Sequence, residues 1–437
     1  MVLLSIFIML IQAIYFNNIF CDQMSNVKLF EDVTNEMTDY KFWISNMINP
    51  DEIVLSSEDI LKFNKNILND NETLVRDLRD YPEKIDLNFF LDRYVNLKLD
   101  NDLYFLDNNK VSDEYIKNIE KNIVVPGNSE NIIKLKYGIC ARSGDLRTLP
   151  ESEILKSNNL KNNVVHDFFQ ESRILVGEPL IVLCESKDKN WYLVESSYGY
   201  RAWTLSYNVA IYKKKDDWLK NFENEKILIV TGNKSRTKYD LYNLEISELE
   251  LSMGTKLRLS NNSSFYSHNV IIPTRDNNGF CLEKNADISI NKDTSIGYLK
   301  LTRRNILNLA FKQLGEKYGW GGMQNSEDCS SYVKNIFRCF GLILPSNTRT
   351  QRCIKNCLII KDLSLEKRKN VLDLTMPGSI ILFDGHVGIY LGNYKKKNYL
   401  IHDFGRPDVM CVCVSSFDVK CSNGKTLIEI LDRILKF

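Results

Sequence analysis

The hydrophobic pattern divides the chain into an apolar start followed by three regions of different periodicity. From about residue 35 to 130, apolar positions recur three and four residues apart, as on one face of a helix. One such run follows Ser57, which we predict to cap a helix: Ile60, Leu61, Phe63, Ile67 and Leu68. Tyr81-Pro82 interrupts this pattern, which resumes over residues 87–97. We therefore predict a helical N-terminal region over residues 35–130.

Short apolar runs separated by turn residues replace the helical pattern over residues 133–299. Residues 180–184 form one run, a turn follows at 188–190, and residues 191–194 form the next run. A second set begins at residues 227–230. Strands about ten residues apart are typical of small barrels, so we predict two, over residues 133–215 and 225–299. We expect four aromatic residues of the first barrel to lie in its core: Trp191, Tyr192, Tyr200 and Trp203.

The last region, residues 301–437, mixes both patterns. A helix is predicted over residues 302–314, and a second one opens at Asp328 and stops at Gly341. Three short strands follow, over residues 379–383, 387–391 and 399–401. The predicted fold is multidomain, with a helical N-terminal region, two small all-β barrels and a C-terminal α+β domain.

Charge and cysteine content exclude several classes of protein. The 437 residues carry 57 Lys and Arg against 56 Asp and Glu, so nothing predicts a nucleic-acid partner. The 11 cysteines are odd in number and irregularly spaced in a long chain, unlike a disulfide scaffold. Four of them are close enough in pairs to suggest zinc: Cys353, Cys357, Cys411 and Cys413. Because the usual two-residue spacer and a nearby His are absent, we expect buried or bridged thiols and no metal.

We predict that the first 22 residues are a signal peptide or membrane-targeting segment. Residues 2–16 are apolar except for Ser5 and Gln12, which matches the core of a signal peptide better than a transmembrane helix. No Lys or Arg precedes this core, so a misassigned start or a buried helix remains the alternative. Phe20 argues against lipidation at Cys21. We predict export to the periplasm or cell envelope, with membrane attachment through the N-terminus as a variant.

One cysteine and two histidines in the last region suggest nucleophilic catalysis. Cys329 follows the predicted cap Asp328, and a partly exposed thiol at a helix start is favoured as a thiolate. The chain has only four His, and two of them, His386 and His402, lie beside predicted strands of the same region. We predict that Cys329 is the nucleophile, that His386 is the base and that His402 orients it. The reverse order of the two histidines stays open.

The motifs around these residues resemble a known family. They occur in this order: Tyr318-Gly-Trp-Gly-Gly322, Asp328-Cys-Ser-Ser-Tyr332, Gly341-Leu-Ile-Leu-Pro345, Gly385-His-Val-Gly-Ile-Tyr-Leu-Gly392 and Ile401-His402. Together they resemble the NlpC-type cell-wall cysteine peptidases. Further motifs resemble the bacterial Src-homology-3-like barrels that precede one subgroup: Tyr137-Gly-Ile139, Arg142-Ser-Gly-Asp-Leu-Arg147 with Pro150, Gly177-Glu-Pro179 and Trp191-Tyr192. The resemblance covers about residues 133–437.

This resemblance implies a papain-like catalytic domain and a set of pocket residues. Asp328 and Ser330 would line the substrate pocket, with Tyr318 and Trp320 as its aromatic walls. The backbone N–H of Cys329 would stabilise the oxyanion, assisted by Tyr318. Thr348 becomes the polar contact because Ser-Asn-Thr stands where the family often carries Arg. No cofactor is implied.

The same resemblance implies the reaction. The expected substrates are peptidoglycan stem peptides or murein fragments, cleaved at the γ-D-glutamyl–diamino acid bond by a monomeric enzyme. In the subgroup with leading barrels the preferred substrate has a free N-terminal L-Ala, and a barrel loop around residues 142–147 would close that end of the cleft. Two other functions remain open: a catalytically silent wall-binding protein, and an acyltransferase with the same Cys-His core.

Overall fold

The structure, a computed structural model, describes residues 30–86, 102–123, 132–157, 166–223, 225–261 and 264–437. The predicted signal segment and the apolar run at residues 87–97 lie outside these ranges. The described part of the N-terminal region contains helices α1 (Tyr40–Ser45), α2 (Ser57–Leu68) and α3 (Asp113–Asn122). It also contains the short strands β1 (Lys84–Asp86) and β2 (Leu103–Tyr104). No helix in the described residues is long and apolar enough to cross a membrane.

The start of α2 corrects the predicted cap by one residue. Ser56, not Ser57, has extended backbone geometry, and its hydroxyl accepts the N–H of Asp59 at 3.2 Å. Strand β1 pairs with β3 (Ile132–Lys134), and β2 pairs with β6 (Lys156–Ser157). The N-terminal region is therefore helical with short strand additions, and it is tied to the start of the first barrel.

The first barrel is a seven-stranded antiparallel sheet. Its strands are β4 (Lys136–Cys140), β5 (Gly144–Arg147), β7 (Gln170–Ile174), β8 (Pro179–Glu185), β9 (Trp191–Ser196), β10 (Arg201–Leu205) and β11 (Val209–Tyr212). Their order is β11-β4-β8-β9-β10-β5-β7. Trp191, Tyr192 and Trp203 are buried in its core, as predicted, whereas Tyr200 is only partly buried and lies near the C-terminal domain.

The second barrel follows helix α4 (Lys215–Leu219) and is built from a five-stranded sheet and a hairpin. The sheet has the order β17-β16-β15-β12-β18. Its strands are β12 (Ile227–Val230), β15 (Lys256–Leu259), β16 (Ser267–Arg275), β17 (Cys281–Ser289) and β18 (Thr294–Ile296), and the hairpin is β13 (Lys234–Arg236) with β14 (Glu250–Ser252). Multidomain architecture with consecutive β barrels is thus confirmed.

The C-terminal domain is a six-stranded antiparallel sheet with helices on both faces. The strand order is β19-β24-β20-β21-β22-β23. The strands are β19 (Leu358–Ile359), β20 (Ile380–Phe383), β21 (His386–Tyr394), β22 (Lys397–Phe404), β23 (Cys411–Ser416) and β24 (Leu431–Leu435). The helices are α5 (Arg303–Phe311), α6 (Cys329–Arg338), α7 (Thr348–Gln351), α8 (Leu365–Asp373) and α9 (Leu427–Ile430). The predicted α+β layout is confirmed.

Helix α6 lies at the junction of all regions. Every one of its ten residues is buried, because the sheet covers one side and the barrels cover the other. A single hydrophobic core contains Ile44 of the N-terminal region, Met253 of the second barrel and Phe337 of α6. Arg338 at the end of α6 forms an ion pair with Glu178 of the first barrel, and both side chains are less than 10% exposed. The barrels therefore pack against the C-terminal domain as one body.

Candidate active site

The start of helix α6 places Cys329 through a reciprocal cap. Oδ1 of Asp328 accepts the N–H groups of Ser330 at 3.0 Å and Ser331 at 2.8 Å. In return the Ser331 hydroxyl accepts the N–H of Asp328 at 2.9 Å. This capping box satisfies the free donors of the first turn. The predicted cap is confirmed, and Cys329 is the first residue of the helix.

The thiol itself is more enclosed than expected. Cys329 is 6% exposed, so the expectation of a partly exposed thiolate is wrong. Burial raises the pKa of Cys329 well above its ordinary value, and the charges of Asp328 and Asp403 raise it further. Hydrogen bonds from the backbone N–H groups of Val387 and Ser330 act in the opposite direction. Burial therefore favours the neutral thiol, and formation of the thiolate needs a base.

The two predicted histidines are in direct contact. Nε2 of His386 lies 2.7 Å from Nδ1 of His402, a hydrogen bond between the first residue of β21 and a fully buried residue of β22. Gly388 makes this approach feasible, since a Cβ there would lie 2.9 Å from the Cβ of His402. This contact occupies Nε2 of His386. Its Nδ1 is therefore the nitrogen that can exchange a proton with a substrate or a thiol.

Aromatic rings enclose this histidine pair. His402 stacks on Phe404 with ring centroids 4.5 Å apart, and His386 stacks on Phe383 at 5.6 Å. Burial lowers the pKa of His386 to about 4. It lowers the pKa of His402 well below the ordinary value, helped by the charges of His386 and Arg406. Both rings are therefore neutral near pH 7 and able to accept a proton.

The thiol and the histidines meet at one end of the sheet. The thiol of Cys329 lies against the N–H of Val387, which directly follows His386 in β21. The structure thus brings together the three residues predicted for catalysis, with Cys329 on the helix and the two histidines on adjacent strands.

Of the two predicted aromatic walls, Tyr318 lies near this point and Trp320 contacts the first barrel. Burial raises the pKa of Tyr318, and the nearby charges of Cys329, Asp328 and Asp403 raise it further. A Cβ at Gly405 would lie 2.8 Å from the Tyr318 ring, so this glycine gives the ring its space. Trp320 is 39% exposed and stacks on His166 of the first barrel, with ring centroids 4.3 Å apart.

Ser330 and Thr348, the two predicted polar contacts to the substrate, differ in how far their side chains are exposed. Ser330 is buried, and its hydroxyl lies 2.8 Å from Asp328 Oδ1 and 3.0 Å from the carbonyl of Ser346. This places its side chain within the protein rather than in the cleft. Thr348 is the first residue of α7 and is partly exposed.

Two segments of the first barrel lie near the glycine-rich turn Trp320–Asn325 of the C-terminal domain. Strand β7 contacts this turn, and Gln170 Nε2 donates to the carbonyl of Gly321 at 2.8 Å. Residues 144–147 form strand β5, and the Arg147 guanidinium is buried against Asp167 at 2.6 Å. Arg142 and Asp145 line a cavity together with Gln324 and Asn325 of the turn. Closure of the cleft by residues 142–147 stays a prediction.

Tyr200 is a further barrel residue at the site, and sequence reasoning assigned it to the core. Its hydroxyl accepts a hydrogen bond from Asn347 Nδ2 at 3.4 Å. Burial raises the pKa of Tyr200, and the charges of Asp328 and Glu171 add to this effect. The phenol therefore lies in the electrostatic field of the carboxylate that caps α6.

Two known protein families match parts of this chain. The NlpC/P60 family model matches residues 315–412. The C-terminal part of the chain is an NlpC/P60 domain. An SH3 domain of the SH3b1 type matches residues 158–204 and so precedes it. The chain is therefore a cysteine peptidase, a hydrolase, whose C-terminal part contains an NlpC/P60 domain preceded by an SH3b-type domain.

One solved structure has the same overall fold. The chain is similar to a structure described as a novel NlpC/P60 endopeptidase from Photobacterium damselae subsp. piscicida. The TM-score is 0.72 at 16% identity, over 94% of this chain and 98% of that one. NlpC2 from Trichomonas vaginalis matches with a TM-score of 0.29 at 11% identity, over 70% of this chain and 99% of that one. No curated protein matches.

Two buried polar residues of the NlpC/P60 peptidase were missed in the sequence. Asp403 is 1% exposed, neither of its carboxyl oxygens has a hydrogen-bond partner, and burial raises its pKa well above the ordinary value. Ser415 is fully buried, with its Oγ 3.0 Å from Nε2 of His402. The sequence signal for either residue is the alternation of inward and outward side chains along β22 and β23. This alternation indicates a contact with His402 only when the register of the two strands is known.

The cysteines of the peptidase form no metal centre in the part of the chain that the structure describes. No group of three or more His, Cys, Asp or Glu side chains is placed there to hold an ion. Cys411 and Cys413 are buried on β23, and Cys353 and Cys357 are partly buried near α7. All ten cysteines in the described residues are free thiols.

Proposed function

We propose that this peptidase hydrolyses peptidoglycan stem peptides at the γ-D-glutamyl–diamino acid bond and prefers stems with a free N-terminal L-Ala. The observation that carries the proposal is the set of acidic and phenolic side chains near the start of α6, where the first barrel meets the C-terminal domain. The charges of Asp328 and Glu171 both act on the Tyr200 phenol, and the Tyr200 hydroxyl accepts a hydrogen bond from Asn347. Acidic side chains contributed by two domains suit a short peptide whose terminus is an ammonium group.

The residues support an acyl-transfer sequence with water as the final acceptor. Cys329 Sγ attacks the scissile carbonyl while its proton passes to Nδ1 of His386. The N–H of Cys329 has no acceptor within the helix because it is the first helical residue, so it can donate to the oxyanion. The proton on His386 then leaves with the amine, and a thioester forms. Water, deprotonated by His386, cleaves the thioester and restores the thiol.

Asp328 can serve as cap and as substrate ligand at once. Its Oδ1 accepts three hydrogen bonds, two from backbone N–H groups and one from the Ser330 hydroxyl. Its Oδ2 takes none from the described residues, and we assign this oxygen to the L-Ala ammonium. Such a charge-assisted contact contributes about 1.5–3 kcal/mol.

Asp328→Asn should therefore weaken turnover of free L-Ala-γ-D-Glu-diamino acid peptides by about tenfold or more. Asn is also a good helix cap, so folding should be retained. The measurement is kcat/KM on free peptides and on stems attached to intact sacculi. Glu366→Gln, which changes an exposed carboxylate in the first turn of α8, is the matched control. Release from sacculi at a rate comparable to that from free peptides contradicts the free-amine preference.

The same assay separates the alternative functions. Mass spectrometry of the products distinguishes hydrolysis from transfer of the acyl group to another acceptor. A wall-binding protein without activity would give no product and no selective labelling of Cys329 by a thiol-reactive peptide. We further propose that the enzyme acts as a monomer after export to the cell envelope, which the apolar residues 2–16 and the proposed substrate support.

The barrels should narrow the cleft rather than act as independent wall anchors. Residues 301–437 produced alone should aggregate or lose selectivity, because the apolar surface that packs on Met253 and the buried Arg338 would be exposed. Size-exclusion chromatography and the two-substrate assay, run beside the full chain, measure both effects. Full solubility and selectivity of the fragment would show that the barrels are tethers.

A further inference from the structure

The histidine pair extends to a third buried group. Ser415 on β23 and His402 on β22 are both fully buried, and Ser415 Oγ lies 3.0 Å from His402 Nε2. The strand register pairs Leu400 with Ser415 and His402 with Cys413. Ser415 is therefore diagonal to His402 on the same face of the sheet. Both ring nitrogens of His402 are thus engaged, one by His386 and one by Ser415.

The direction of these hydrogen bonds decides whether His386 can work as a base. Each neutral ring carries one proton, and the contact between His386 Nε2 and His402 Nδ1 holds only one. If Ser415 donates to His402 Nε2, the His402 proton lies on Nδ1 and points to His386. The His386 proton is then on Nδ1, where the thiol proton would have to go. In this arrangement no proton can leave Cys329.

The opposite direction gives a competent base. When Ser415 Oγ accepts, the His402 proton lies on Nε2, and His402 Nδ1 accepts from His386 Nε2. His386 Nδ1 is then unprotonated. During attack the thiol proton moves to this nitrogen, and the resulting imidazolium keeps its Nε2–H bond to His402. His402 and Ser415 keep their own protons throughout.

We propose that Ser415 is a positioning residue, which holds the proton of His402 on Nε2 and so leaves Nδ1 of His386 free. This inference rests on the proposed function, because the need for an unprotonated His386 Nδ1 is what selects the tautomer. The tautomer itself is a property of the resting protein and can be measured without any substrate. Ser415 is buried behind the histidines and does not reach the substrate. Its loss should therefore lower kcat and leave KM unchanged.

The tautomer can be read directly from the full chain. The sequence contains four histidines, so selective ¹⁵N-histidine labelling gives four rings to assign by nuclear magnetic resonance. We expect His402 to carry its proton on Nε2 in the unmodified protein and to lose this preference in Ser415→Ala. A His402 proton on Nδ1 in the unmodified protein overturns the inference, whether or not any variant folds.

Kinetics on the free stem peptide provide the second arm. Ser415→Ala should lower kcat by about tenfold or more, and Ser415→Thr, which keeps the hydroxyl, should recover most of it. Ser416→Ala is the matched control, since this buried serine of the same strand faces the opposite side of the sheet. Unchanged kcat in a folded Ser415→Ala overturns the inference. Absence of activity in the unmodified protein would instead contradict the proposed function, and the tautomer measurement would still decide the role of Ser415.

Discussion

Cys329→Ala should abolish turnover of the stem peptide, with kcat/KM lower by about four orders of magnitude or more. No other thiol lies at the start of α6, and water attack without a covalent intermediate would depend on the oxyanion donors alone. The fold should persist, because Ala is compatible with the first helical turn and Asp328 still caps it. The measurements are peptide hydrolysis and the thermal unfolding midpoint.

The matched control is Cys281→Ala. Cys281 is a partly exposed free thiol on β17 of the second barrel, so its removal should leave kcat/KM unchanged. If Cys329→Ala kept more than a few per cent of the activity, another group would be the nucleophile.

Replacement of His386 by Ala should be nearly as damaging as loss of the thiol. The thiol pKa is raised by burial, so little thiolate forms without a base, and we expect a loss of about a hundred- to ten-thousandfold in kcat. His402→Asn should cost less, about ten- to a hundredfold, by analogy with hydrogen-bond partners that orient metal-bound imidazoles. An Asn amide can still accept a hydrogen bond from His386 Nε2.

The order of these two effects tests the assigned roles. A larger loss in His402→Asn than in His386→Ala would reverse them. His268→Ala, which alters a histidine of β16 in the second barrel, should have no effect on kcat and serves as the control.

The features predicted correctly from the sequence are those that depend on a few neighbouring residues. The cap at Asp328, the helix that follows it and the strands beside both histidines each depend on a few neighbouring residues. The predicted cap of α2 was one residue too late, at Ser57 and not Ser56, because either of two adjacent serines can cap a helix. The layout of helical region, barrels and α+β domain followed from the change in hydrophobic period.

Features produced by packing between domains were not predictable in this way. Cys329 is buried because barrels and sheet enclose α6, and no local pattern indicates that enclosure. The pattern predicts Tyr200 as a core aromatic residue of its own barrel, yet its hydroxyl contacts Asn347 of another domain. Ser415 meets His402 only through the register of two strands.

The complete enclosure of helix α6 bears on how such an enzyme can change over evolutionary time. Its ten residues span about 15 Å, with the nucleophile at one end and the Arg338–Glu178 pair at the other. Chemistry and interdomain contact therefore lie on one rigid element, and exchange of a whole barrel would disturb both. Divergence in substrate choice is easier at barrel positions such as Tyr200, which lies outside the helix and contacts Asn347 of the C-terminal domain. We expect related sequences to vary more at such positions than within α6.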